Sequence, residues 1–166
     1  KRPVNVRIDA RWRSQGRWDS RVGMTPYAWA RRLAAAATHR VWRGMVWAGS
    51  VGTRDSRARR FFTFGEGTLI AFPPGDVFGE EHIALGAGVL IAAEVTLSVG
   101  MAPGQGLPPG ATSPVLRIGD RCCIGRSSHV VAYRSVRIGD DVMMGPRCYI
   151  TDLNHAYGDP GTPIGV

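Results

Sequence analysis

From Phe64 onward, apolar residues return at every sixth position. Leu85, Ile91 and Leu97 form one run; Ile118, Ile124 and Val130 a second; Ile138, Met144 and Ile150 a third; Phe64 and Ile70 open the series. The following residue is often glycine or alanine, as at Gly65, Ala71, Gly86, Ala92, Gly119, Gly125, Gly139 and Gly145. Four positions after the apolar residue stand small or medium side chains: Thr68, Val89, Val95, Cys122, Ser128, Val142 and Cys148. A period of six fits neither an α-helix nor a sheet of simple hairpins. It fits a solenoid in which each hexapeptide makes one short strand and one corner, with three hexapeptides closing a coil of about 18 residues. One apolar side chain per face then points inward and stacks on its equivalents in the neighbouring coils. Glycine is expected at the corners because it tolerates positive φ.

This pattern predicts a left-handed parallel β-helix over residues 64–155, within a mainly β domain spanning 61–166. Successive coils begin at Leu85, Ile118 and Ile138, at intervals of 33 and 20 residues. The longer interval contains the Pro- and Gly-rich run Met101 to Pro114, an inserted loop over about 100–115. A second loop, Phe72 to Asp76, interrupts the first coil. Chance does not readily produce both Leu116-Arg-Ile-Gly-Asp120 and Val136-Arg-Ile-Gly-Asp140, each followed by Ile124-Gly125 or Met144-Gly145.

The first 60 residues have a different texture. Residues 1–23 are rich in Arg and Trp with little periodicity, and predict an irregular or extended segment. Thr25-Pro26 then opens a helix of about 26–48, Thr as N-cap and Pro at the first helical position. Trp29, Leu33, His39, Trp42, Val46 and Trp47 are available for an apolar face, and Gly49 or Gly52 for the stop.

Charge sharpens this division. The formal net charge of +8 combines fifteen Lys/Arg against three Asp/Glu in residues 1–60 with six against ten in residues 61–166. A basic α-helical arm is attached to a mildly acidic body, which implies an anionic partner for the arm or a contact with its own assembly. The expected arrangement is a helix packed across the β-helix with its arginines solvated; a basic helix bearing tryptophans can instead lie on an anionic membrane or glycolipid surface, and nucleic acid is not the expected partner. No run is long and apolar enough to span a bilayer, and no apolar segment follows the basic start, so these residues hold no signal peptide; the start at Lys1 rather than Met leaves room for a leader ahead of it. Cys122, Cys123 and Cys148 show no zinc-type spacing and fit a reducing, cytoplasmic compartment.

The sharpest motif is Ile138-Gly-Asp-Asp-Val-Met-Met-Gly-Pro-Arg-Cys-Tyr-Ile-Thr-Asp-Leu-Asn-His155. It resembles the hexapeptide-repeat acyltransferases, especially the maltose, galactoside and nodulation-type O-acetyltransferases, and the resemblance covers roughly residues 64–166. In that family an Ile-Gly-Asp coil and a Gly-Pro corner lead into a loop bearing the catalytic histidine, a position that His155 matches. The resemblance implies a homotrimer with active sites between subunits, acetyl-CoA as co-substrate, no metal, and a sugar hydroxyl of a glycan or glycolipid as acceptor. His155 is then the general base, since a neutral imidazole can take a hydroxyl proton near neutral pH. Asp152 and Asn154 are candidates to orient it and to bind substrate, with Tyr157 on the acceptor side and His129 lining the same cleft. His82 reads as a surface or corner residue, or as a marker of the acceptor pocket with Glu80 and Glu81. The coenzyme A groove cannot be assigned to residues: in the family it is built largely from later coils, and the repeat is cut short at Val166. The chain on its own is therefore expected to be inactive. Two other functions use the same scaffold. One is a non-catalytic scaffold or binding module; the other is a γ-type carbonic anhydrase, for which four histidines scattered at 39, 82, 129 and 155 are poorly spaced.

Overall fold

A computed structural model describes residues 25–154. The chain divides into two units, Lys1–Arg40 and Val41–Val166, with the division falling inside α1, Pro26–Gly49. Thr25 caps α1: its Oγ1 accepts from Ala28 N at 3.3 Å and its carbonyl from Trp29 N at 3.1 Å. The alanine-rich middle has high helix propensity, and Gly49 is the last helical residue. None of the α1 side chains is buried.

The remaining described elements are strands and two 3-10 turns. In chain order the strands are β1 (Val51–Gly52), β2 (Thr63–Phe64), β3 (Leu69–Ile70), β4 (Val77–Phe78), β5 (Ile83–Leu85), β6 (Leu90–Ile91) and β7 (Thr96–Val99). After the loop come β8 (Leu116–Ile118), β9 (Cys123–Ile124), β10 (His129–Ala132), β11 (Val136–Ile138), β12 (Met143–Met144) and β13 (Tyr149–Thr151). They form three sheets, ordered β2-β5-β8-β11, β1-β3-β6-β9-β12 and β4-β7-β10-β13. From β2 on, the chain visits these sheets in unvarying rotation, so four coils stack with every neighbouring pair of strands parallel.

The six-residue pattern becomes three columns. Phe64, Leu85, Ile118 and Ile138 are in register on one sheet. Ile70, Ile91, Ile124 and Met144 are in register on the second, and Val77, Leu97, Val130 and Ile150 on the third. Leu85, Ile91, Leu97, Ile124 and Val130 are fully enclosed. Each contributes roughly 1.5–3 kcal/mol by leaving water.

The glycines after these residues have a different cause from the one expected. Gly65, Gly86, Gly119 and Gly125 do not adopt positive φ. A Cβ on any of them would collide with the next coil; at Gly125 it would stand 2.5 Å from Gly145 C and 2.6 Å from Pro146 N. Glycine is needed there for close approach. The left-handed backbone lies two residues further on, at Gly67, Gly88, Glu94, Arg121, Ser127, Asp141 and Arg147.

The Asp and the small polar residue of each hexapeptide connect coils. Asp120 Oδ1 accepts from Ala87 N, and Asp140 Oδ1 from Asp120 N, both at 2.8 Å. Thr68 Oγ1 donates to Gly86 O at 2.6 Å and accepts from Val89 N at 3.1 Å. Ser128 Oγ does the same with Gly145 O at 3.2 Å and Cys148 N at 3.1 Å, and Cys122 Sγ donates to Gly139 O at 2.9 Å. Buried hydroxyls are thus satisfied along the corners, as burial requires.

The first coil is covered at its outer end. β1 pairs antiparallel with β3, Val51 opposite Ile70, and Val51, Ala58 and Phe61 are buried. Charge alone groups residues 51–60 with the basic arm, whereas hydrogen bonding joins Val51 and Gly52 to the coils. Arg57 secures this junction, donating to Gly49 O at 3.0 Å and Ser50 O at 3.1 Å, carbonyls at the end of α1. Asp55 holds the guanidinium in place through a 2.7 Å ion pair. At the opposite end, nothing among the described residues lies within 4 Å of a Cβ built on Gly139 or Gly145.

Candidate active site

The motif that carries the proposed base runs through the last described coil. Alternation along β10 and β13 sends Val130 and Ile150 into the core, so His129 and Tyr149 face outward. They are directly opposite in register, and their rings lie 5.9 Å apart at 42°. Both are exposed. Tyr149 was not expected from the motif; its parity with inward Ile150 and its offset of 20 residues from His129 are the signals that place it there.

After β13 the chain turns sharply and is fastened. The Asp152 carboxylate accepts three consecutive backbone N–H groups from the coil below: Tyr133 at 2.7 Å, Arg134 at 2.7 Å and Ser135 at 2.6 Å. Thr151 Oγ1 accepts from Leu153 N at 3.0 Å, tightening the same turn. Burial acts to raise the Asp152 pKa, but the converging N–H donors outweigh it and hold the carboxyl below the usual range. Both carboxylate oxygens are therefore engaged with backbone, and Asp152 anchors the segment that leads to His155. Asn154 is exposed two residues further on. The structure thus places His129 and Tyr149 on adjacent strands of one sheet, with Asp152 in the turn just after β13; His155 and Tyr157 lie outside the described residues.

His82 is separate from this group. It sits in the 3-10 turn Glu80–His82, with Nδ1 3.1 Å from Ser113 Oγ and Nε2 3.7 Å from Glu81 Oε1. Ser113 lies near the end of the inserted loop, and Val115 N donates to the His82 carbonyl at 2.9 Å. His82 fastens the return of that loop. His39 is an exposed position on α1. Cys122 is a core residue, and all three cysteines are free thiols. Among the described residues, no three His, Cys, Asp or Glu side chains converge as a metal site.

With this geometry in place, the chain can be compared with known proteins. Over 49 residues it is 41% identical to a Mycobacterium tuberculosis protein described as a probable acetyltransferase. The shared segment covers 30% of this chain and 16% of that protein. No family model matches the sequence, and no solved structure matches it.

Proposed function

We propose that the protein is a coenzyme A-dependent O-acyltransferase of the hexapeptide-repeat type, built on a left-handed β-helix. It transfers an acetyl group to a sugar hydroxyl of a glycan or glycolipid, acting in the cytoplasm as a homotrimer. The observation that carries this reading is the fastening of the turn before His155: an exposed His129–Tyr149 pair on one sheet, with the Asp152 clamp three residues ahead of the histidine. Similarity to a protein described as a probable acetyltransferase supports the reaction class.

The chemistry assigned to this chain lies on the acceptor side. His155, as the neutral imidazole, takes the hydroxyl proton as the sugar oxygen attacks the thioester carbonyl. The oxyanion so formed needs N–H donors, most simply from the backbone of an adjacent coil. Its collapse breaks the carbon–sulfur bond; the histidine returns its proton to the departing thiolate, leaving an ester and a free thiol. The ring faces of Tyr149 and His129 suit the apolar face of a sugar, while Asn154 and Tyr157 supply polar contacts to its hydroxyls. Among the described residues no coenzyme A groove is defined, so no step is assigned to groups that bind the donor.

The test is thiol release from acetyl-CoA in the presence of mono- and oligosaccharide acceptors, with product mass measured. A mass gain of one acetyl group, lost on His155→Ala with the fold retained, supports the proposal. A fully folded, natural-length protein with no transfer to any acceptor returns the chain to the scaffold reading.

A further inference from the structure

The unit beginning at Val41 carries a groove of about 1010 Å³ whose walls mix indoles with arginines: Trp42, Trp47, Val46 and Leu69 beside Arg43 and Arg54. Trp47 is 84% exposed and Trp42 50%, although both are among the most apolar large side chains in the chain. Leu69 is exposed as well. Apolar surface gathered in one concavity marks a site that something else covers.

The charges say what covers it. Among the described residues neither Arg43 nor Arg54 forms an ion pair. The acid on the rim, Asp55, is already taken: hydrogen bonds from the Arg57 side chain and backbone N–H lower its pKa to about 2. The groove is thus cationic as well as apolar. The part of α1 that lines the groove, from Trp42 to Trp47, carries Arg43 and no acidic residue.

An occupant must therefore offer an apolar body and an anionic end. We propose that this groove docks on an anionic lipid surface, with the indoles at the headgroup–acyl boundary and the two guanidiniums on lipid phosphates. Tryptophan is enriched at that boundary, and clustered basic residues favour anionic leaflets. No described helix is long and apolar enough to cross a membrane, so the contact is peripheral. The proposal is independent of acyl transfer and stands or falls separately.

The experiment is flotation of the full 166-residue chain with large vesicles, followed in parallel by the tryptophan emission shift. Two vesicle compositions are used: phosphatidylcholine alone, and phosphatidylcholine with phosphatidylglycerol in excess of one in four. Wild type should bind the second and not the first. Arg43→Gln/Arg54→Gln should weaken binding by about 30-fold, the loss of two basic contacts, and Trp42→Ala/Trp47→Ala should remove most of the emission shift. The charge-matched control is Arg117→Gln/Arg137→Gln, two exposed arginines in register on another sheet; it should change binding less than about twofold. Circular dichroism checks each fold. Equal weakening by both arginine pairs would overturn the proposal, because net charge and not the groove would then govern binding. So would equal binding to both vesicle types, binding to neither, or self-association in sedimentation that the groove variants abolish.

Discussion

Replacing Gly125 by alanine puts a methyl group against the backbone of the next coil, 2.5 Å from Gly145 C and 2.6 Å from both Gly145 O and Pro146 N. Carbon contacts settle near 3.5 Å or beyond, so the two coils must part by about 1 Å at this corner. The same gap is bridged by Gly125 N to Met144 O at 2.9 Å, Arg147 N to Arg126 O at 3.0 Å, and the two bonds of Ser128 Oγ. Overpacking costs about 1–3 kcal/mol, and weakening one or two of those bonds adds about 1 kcal/mol each. A loss of about 3 kcal/mol follows, or roughly 10 °C in melting temperature for a chain of this size. Gly139→Ala is the matched control. Nothing described lies within 4 Å of its Cβ, and its φ is not positive, so alanine is neutral or adds about 0.4–1 kcal/mol through the unfolded state. Thermal and urea unfolding of the 166-residue chain, followed by circular dichroism, decides between them. Equal losses at the two positions, or a Gly125→Ala change under about 1 kcal/mol, would refute the close-approach explanation.

Other consequences follow from particular contacts. Arg57→Ala removes the donor to the last carbonyls of α1 and should increase amide exchange over residues 46–50, read by mass spectrometry. The Asp55–Arg57 pair also gives a pH signature. The Asp55 pKa is lowered to about 2 in the folded state, so its contribution is complete above the ordinary value near 3.9 and is lost as pH falls through about 2. Arg57→Ala should flatten the acid limb of the stability curve in that window. Asp152→Ala leaves the Tyr133, Arg134 and Ser135 N–H groups without their acceptor; their exchange should quicken by about tenfold, the equivalent of one hydrogen bond. Unchanged exchange at those three amides would argue against the clamp. Among the described residues Ser98 Oγ is buried with no hydrogen-bond partner, so Ser98→Ala should raise stability by about 1 kcal/mol in urea unfolding.

The columns of the coils were legible in the sequence because an inward side chain recurs with a fixed period, and eleven of the twelve column positions fall on it. Val77 escaped because the Phe72–Asp76 loop shifts its spacing from Ile70 by one residue. Helix α1 was legible from Thr25-Pro26 and Gly49, local signals that need no tertiary context. Pairing of Val51 with Ile70 was not, since an antiparallel cover strand of two residues has no pattern of its own. The reason for the repeated glycine was also hidden. Composition cannot distinguish a residue chosen for its backbone angle from one chosen for lack of volume; only the neighbouring coil makes that distinction. The motif made Asp152 a candidate to orient His155 and bind substrate, whereas its clamp on three N–H groups depends on which coil lies beneath, 17–19 residues earlier in the chain.

The proposed acyl transfer rests on His155 acting as the base. The most direct measurement is the rate of acetyl transfer from acetyl-CoA to a sugar acceptor by the natural-length protein, compared with its His155→Ala variant of unchanged melting temperature. A base at this position predicts a fall of about 10²–10⁴-fold, the usual worth of a positioned general base. Transfer retained within about twofold in the variant would contradict it, as would a wild-type protein that releases thiol at the same rate with and without acceptor.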